Sequence, residues 1–128
     1  MSLNILIVDD SKVMRKIILK TIGISGVPFG DVYEASNGHE GLDMLSKNQI
    51  DLVMTDINMP VMNGEEMIDA MIGNPATKKI PVIVISTEGS EIRVEGLLSK
   101  GVVFIHKPFS PEFFKNTIEK LIGTGAGK

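Results

Sequence analysis

The chain has 128 residues, 43% of them hydrophobic, a formal net charge of −3 and no cysteine. That is the size of one ordinary domain, able to bury about two-thirds of its unfolded surface without a disulfide or structural metal. Thiol catalysis and thiolate metal centres are excluded, no basic run argues for nucleic-acid binding, and no apolar stretch approaches the roughly 20 residues of a membrane span.

Short β-branched runs alternate with longer segments of helical spacing. The first run, 4–8, holds Ile5-Leu6-Ile7-Val8 and ends on the pair Asp9-Asp10. Its apolar character throughout predicts a strand covered on both faces. A helix is expected over 12 to about 22, carrying Val13, Met14, Ile17, Ile18 and Thr21. Segment 23–30, with three Gly and one Pro, reads as a flexible connector. It is no phosphate cradle, because no strand leads into it and no Lys-Ser/Thr follows.

A second strand is expected over 32–35 and a helix over 38–47 carrying Leu42 and Leu45. The third strand, 51–55, ends on Asp56, with Asn58-Met59-Pro60 and Gly64 behind it. A helix over 65–72 carries Met67, Ile68, Met71 and Ile72. The fourth strand, 81–86, ends on Ser86, and the helix over 90–100 carries Ile92, Leu97 and Leu98. Gly96 inside that helix costs about 1 kcal/mol relative to Ala and suits either a mobile segment or close packing. The fifth strand, 102–106, ends at Lys107-Pro108. Ser110-Pro111-Glu112 supplies an N-cap, a proline at the first helical position and an acid facing the helix dipole. The helix that follows buries Phe113 or Phe114, then Thr117, Ile118 and Leu121. Residues 1–122 form the domain, and 123–128 read as a flexible tail.

Strands alternating with helices predict a parallel sheet with right-handed crossovers, whose ligands sit beyond the carboxyl ends of the strands. The spacings from Asp56 to Ser86 and from Ser86 to Lys107 each allow one crossover. The longer gap from Asp10 to Asp56 puts the second strand outside, giving the order 2-1-3-4-5. Strands about 4.8 Å apart then bring Asp9, Asp10 and Asp56 together, and the long side chain of Lys107 crosses two strands, roughly 10 Å, to join them.

Crowded carboxylates raise one another's pKa unless a cation compensates. Mg²⁺ prefers such oxygen ligands and retains waters. Asp10 and Asp56 are expected as direct ligands, Asp9 directly or through water, with the backbone carbonyl of Asn58 as a further donor. Asp56 is then placed to attack phosphorus as a carboxylate nucleophile. Lys107 would offset charge on the phosphoryl oxygens and the Ser86 hydroxyl would donate to one of them. A single Asp ending a strand more often serves a turn or a helix cap; such residues on four strand ends are another matter.

The ordered set Asp9-Asp10, Asp56 with Met59-Pro60 and Gly64, Ser86-Thr87 and Lys107-Pro108-Phe109 resembles response-regulator receiver domains of the CheY type, from Ile5 to about Ile122. The resemblance implies the flavodoxin-like α/β fold of that family, a five-stranded parallel sheet with helices on both faces. It implies Mg²⁺-dependent phosphorylation of Asp56, as 4-aspartylphosphate, by a histidine kinase, and a cis peptide at Lys107-Pro108. It also implies a switch in which Ser86 moves toward the phosphoryl group and Phe104 swings inward. Many members carry Tyr where Phe104 stands and a smaller Ala where Thr87 stands. Asn58 and Glu88 occupy the positions that tune dephosphorylation and match chemotaxis members, which implies a short-lived phosphoryl state. The partners implied are a histidine kinase and a downstream protein read by the fourth helix, fifth strand and fifth helix, such as a flagellar motor component or a phosphatase.

His39 is expected to be solvated, and His106 to pack or face solvent. Met59 and Met62 are either core filler or a soft docking surface. The expected location is the cytoplasm, since the N-terminus lacks the pattern of a signal peptide, with no nucleic-acid or membrane partner. The leading reading is a stand-alone signalling switch that catalyses only its own phosphorylation and dephosphorylation. The alternatives are a receiver domain cut from a larger, for example transcriptional, regulator, and an Asp-nucleophile phosphatase, for which Asn58 occupies the position of the general acid and cannot serve as one. A flavin-binding domain is disfavoured because no Ser/Thr-rich phosphate loop follows the first strand.

Overall fold

The computed structural model describes residues 3–87, 90–107 and 109–123. Five parallel strands, β1 (Leu3–Val8), β2 (Phe29–Ala35), β3 (Leu52–Thr55), β4 (Val82–Ser86) and β5 (Val103–His106), pair in the order β2-β1-β3-β4-β5. Between and after them run α1 (Lys12–Ser25), α2 (Gly38–Lys47), α3 (Gly64–Ile72), α4 (Glu91–Leu98) and α5 (Pro111–Ile118). A π-helical turn, Glu119–Gly123, closes the last helix.

Alternation along each strand splits the core in two. Leu6, Val8, Val53 and Val84 point to one face, where they meet Leu45 of α2, Met67, Ile68 and Met71 of α3, and Leu97 of α4. Ile5, Ile7, Met54 and Ile83 point to the other and meet Ile18 and Ile22 of α1, with Phe114 and Ile118 of α5. Because both faces are covered, β1, β3 and β4 are apolar at almost every position and are buried from Ile5 on in β1 and throughout β3 and β4.

The helix starts follow local chemistry. Ser11, Asn37, Asn63, Ser90 and Ser110 each cap a helix by accepting a backbone N–H one turn on. Asn63 and Glu66 form a reciprocal capping box on α3. Ahead of α2, the backbone N–H and hydroxyl of Ser36 both donate to Glu40, holding its carboxyl below the ordinary value.

Several expectations change in three dimensions. The connector expected at 23–30 is mostly regular structure: α1 runs on through Gly23 to Ser25, and β2 begins at Phe29, paired with Leu3. Ile22 and Ser25 are buried, so tertiary packing carries the helix past Gly23, and it stops only where Gly26 takes φ 83° in the left-handed region. On α1 the buried line is Ile18, Ile22 and Ser25, while Val13 and Ile17 are exposed. On α3, Ile72 faces out, and on α4 so do Ile92 and Leu98, leaving Leu97 as its one buried residue. Of the two phenylalanines on α5, Phe114 is buried and Phe113 is exposed. Gly123, assigned to the tail from the sequence, ends the π-helical turn; residues 124–128 lie outside the described residues.

Among the described residues, no helix is long and apolar enough to cross a membrane.

Candidate phosphoacceptor site

The site lies at the carboxyl edge of the sheet, and the sheet's own hydrogen bonds extend into it. Asp9 N–H donates to Ala35 at the end of β2 (3.0 Å), Asp56 N–H to Val8 at the end of β1 (3.0 Å), and Lys107 N–H to Ser86 at the end of β4 (3.0 Å). Each of these three residues is therefore held one step beyond its strand by a neighbouring strand.

Asp9 is almost wholly buried. Its Oδ1 accepts the Ser11 N–H at 2.9 Å, and its Oδ2 lies 3.4 Å from Lys107 Nζ. The same ammonium lies 3.4 Å from Asp56 Oδ2, so Lys107 reaches across β4 and β3 and bridges two carboxylates. Asp56 Oδ1 accepts the Ile57 N–H at 2.7 Å. Asp10 is exposed, and its carboxylate has no hydrogen-bond partner among the described residues. Burial pushes the Asp9 carboxyl above its ordinary value, and the neighbouring Asp56 charge adds to this; the Ser11 N–H and Lys107 oppose it.

Asp9, Asp10 and Asp56 each offer a carboxylate oxygen, and these atoms lie within 4.8 Å of one another. Hard, anionic oxygen donors with one exposed member suit a Mg²⁺ ion that retains waters. The donor set therefore fits the metal that the sequence implied. Asn58 is exposed on the loop leaving β3.

That loop is tightly built. Val61 has φ 67°, and Met62 N–H donates to the Pro60 carbonyl two residues back at 2.7 Å, a three-residue turn that stores strain beside the site. The turn is anchored where Gly38 N–H donates to the Met62 carbonyl at 2.8 Å. Met62 packs so closely on Gly38 that a Cβ there would fall 2.8 Å from Met62 Cγ. Met59 and Met62 both pack against the core, which favours filler over a docking surface. Gly64 is required by close approach: its N–H donates to Ile57, and a Cβ would collide with the Asp56 carbonyl oxygen.

Ser86 is buried at the end of β4, and Thr87 beyond it is exposed. Phe104 on β5 packs against the core and meets the exposed His106 edge to face, ring centroids 4.7 Å apart at 60°. His39 is exposed, as expected. Glu88, and the cis peptide expected at Pro108, lie outside the described residues.

One residue at the site is not singled out by the sequence. Arg15 Nη1 donates to the Asp9 carbonyl at 2.6 Å, and its Nε donates to Glu34 Oε1 at 2.8 Å. A signal exists in principle: side chains on a helix lean toward its N-terminus, and Arg15 sits one turn past the N-cap Ser11.

The model of the response regulator receiver domain matches residues 5–119. The chain is 39% identical to the chemotaxis protein CheY homolog of Campylobacter jejuni, over 98% of this chain and 97% of that protein. It is 39% identical to chemotaxis protein CheY1 of Helicobacter pylori, over 95% and 98%. Its structure is similar to that of the chemotaxis protein CheY4 of Vibrio cholerae, with a TM-score of 0.82 and 29% identity over 95% of this chain and 100% of that one. An acidic cluster bridged by a lysine at the carboxyl edge of a 2-1-3-4-5 sheet, with family and relatives matched over nearly the whole chain, places this protein in the response-regulator receiver domain family.

Proposed function

We propose that the chain is a single-domain response regulator, with residues 1–122 as the receiver, in which Asp56 accepts a phosphoryl group. Receiver domains of this type are phosphorylated signalling proteins that take phosphate from histidine kinases and bind Mg²⁺ in their acidic pocket. The observation that carries the assignment to Asp56 is the placement of Lys107 Nζ at 3.4 Å from both Asp9 and Asp56, within a cluster of three carboxylates.

An Asp56 carboxylate oxygen attacks phosphorus of a phosphohistidine. The new O–P bond forms as the P–N bond breaks, the electron pair leaves on the imidazole, and that nitrogen takes up a proton. Lys107 neutralises phosphoryl oxygen charge, and the Ser86 hydroxyl donates to another phosphoryl oxygen once it forms. Asp10 and Asp56, with Asp9 directly or through water and the Asn58 carbonyl, would hold Mg²⁺, which would supply further charge neutralisation. Asn58 and Glu88 admit and orient the water that later hydrolyses the acyl phosphate, so the phosphoryl state is short-lived.

The 39% identity to two chemotaxis proteins supports a role in motility signalling in the cytoplasm. The downstream protein is read on the face of α4, β5 and α5, where Ile92 and Phe113 are exposed and Phe104 is the switch aromatic. On that reading the histidine kinase and a motor component or phosphatase are its partners.

The test is intact mass after incubation with acetyl phosphate and Mg²⁺. One phosphoryl adduct, absent in Asp56→Asn and decaying within minutes, is expected. A folded wild-type protein that takes no adduct would overturn the assignment.

A further inference from the structure

We infer that Arg15 is a positioning residue that aims Asp10 into the pocket, a role resting on the Mg²⁺ site proposed above. Asp10 is exposed and its carboxylate accepts no hydrogen bond among the described residues, so no side-chain partner holds it and the placement of its backbone carries its position. That backbone begins at the peptide linking Asp9 to Asp10. The Asp9 N–H is committed to Ala35 of β2, and the Asp9 carbonyl, which belongs to the linking peptide, accepts from Arg15 Nη1 at 2.6 Å. Loss of this anchor would let the turn shift and carry the Asp10 Cα, with its carboxylate, away from Asp9 and Asp56.

The guanidinium is itself fixed from a second direction. Glu34 of β2 accepts from Nε at 2.8 Å, and the Arg15 side chain is only 14% exposed. Arginine can span two acceptors with a rigid planar fork, whereas lysine offers one point charge. The grip thus joins α1, β2 and the acidic turn, and it uses geometry that a cation alone does not reproduce.

Position and charge make opposite predictions. A guanidinium acting only as a nearby positive charge repels a divalent cation, so its removal would tighten Mg²⁺ binding. A guanidinium that holds a ligand's backbone in place lends affinity, so its removal weakens binding. Partners that orient metal ligands commonly change affinity about 10–100-fold when lost, and a backbone grip on one of three ligands belongs at about tenfold.

The experiment is Mg²⁺ titration by calorimetry at constant ionic strength for wild type, Arg15→Met, Arg15→Lys and Glu34→Gln, with thermal unfolding of each in EDTA. The expected result is a dissociation constant raised about tenfold in both Arg15 variants and by less in Glu34→Gln. Should Arg15→Met fail to fold, Arg15→Lys and Glu34→Gln decide. Wild-type affinity in Arg15→Lys, or tighter binding in Arg15→Met, would overturn the inference while leaving the metal site intact. Failure of the wild type itself to bind Mg²⁺ would instead remove the site on which the inference depends.

Discussion

Helices α3 and α4 lie on the same face of the sheet, yet they are held by different physics. α3 starts with a capping box, buries Met67, Ile68 and Met71, and presses Gly64 against the Asp56 carbonyl. α4 buries Leu97 alone and carries Gly96 at a position where an added Cβ would meet nothing within 4 Å. Its lateral ties are ionic: Arg93 Nη2 to Glu65 at 2.8 Å, and Lys100 beyond its end to Asp69, both partners on α3. Apolar burial is short-ranged and specific in shape, whereas partly exposed ion pairs are weak and tolerate displacement. The helix beside the proposed phosphoacceptor is thus locked to it, and the helix on the proposed read-out face is held by weaker, more yielding ties.

The two helix glycines test this contrast most sharply. Gly64→Ala is expected to destabilise the fold by about 3 kcal/mol, because the methyl must displace backbone rather than a side chain. It should also slow labelling of Asp56 by acetyl phosphate about tenfold or more, since the nucleophile moves with the strand end. Denaturant unfolding and intact mass read both effects. A neutral Gly64→Ala would mean that α3 is not coupled to the acid site.

Asp9→Asn probes the locked region electrostatically. Burial raises the Asp9 carboxyl above its ordinary value of 3.8. A carboxyl raised in this way favours the fold while protonated; that contribution is complete below its unfolded value and is lost as pH rises through the folded one. Ionised Asp9 therefore costs stability at neutral pH when no metal is present. In EDTA at pH 7, Asp9→Asn should raise the unfolding midpoint, and the advantage should vanish as pH falls below the ordinary carboxylate range. Saturating Mg²⁺ should reverse the order by stabilising the wild type more than the variant, which keeps only Asp10 and Asp56 as carboxylate ligands. A lower midpoint for Asp9→Asn in EDTA would show that the Lys107 contact outweighs desolvation.

In α4, Gly96→Ala should stabilise by about 0.5–1 kcal/mol through lost backbone freedom in the unfolded chain. Hydrogen exchange of α4 amides should slow, while acetyl phosphate labelling stays unchanged. The smallest effect is expected from Glu65→Gln. Both members of its pair with Arg93 are about one-third exposed, so about 0.5 kcal/mol or less is at stake, and added salt should erase it. Faster exchange confined to α4 would confirm that the bridge restrains it laterally.

Several features are legible in the amino-acid order because they depend on neighbours along the chain. Ser110-Pro111-Glu112 marks a helix start by local hydrogen bonding, and the N-cap indeed accepts the Phe113 N–H at 3.0 Å. Continuous apolar runs ending on Asp9, Asp56, Ser86 and Lys107 announce buried parallel strands with polar residues at their carboxyl ends. Fine partitioning is not legible. Periodicity treats Val13 and Ile18 alike, and only the position of the sheet decides that Ile18 is buried while Val13 is exposed. Gly23 reads as a helix breaker locally, yet the burial of Ile22 and Ser25 carries the helix past it.

The amino-acid order by itself determined the alternation of strands and helices, the strand order and the roster of carboxylates and lysine at the sheet's edge, because spacing, capping and crossover handedness are local or topological constraints. Tertiary structure alone decided that the expected reach of Lys107 ends equidistant, at 3.4 Å, from Asp9 and Asp56, that Arg15 grips the acidic turn, and that α4 is the loosely held helix. These depend on distances between residues far apart in the chain, which packing sets and sequence periodicity does not encode.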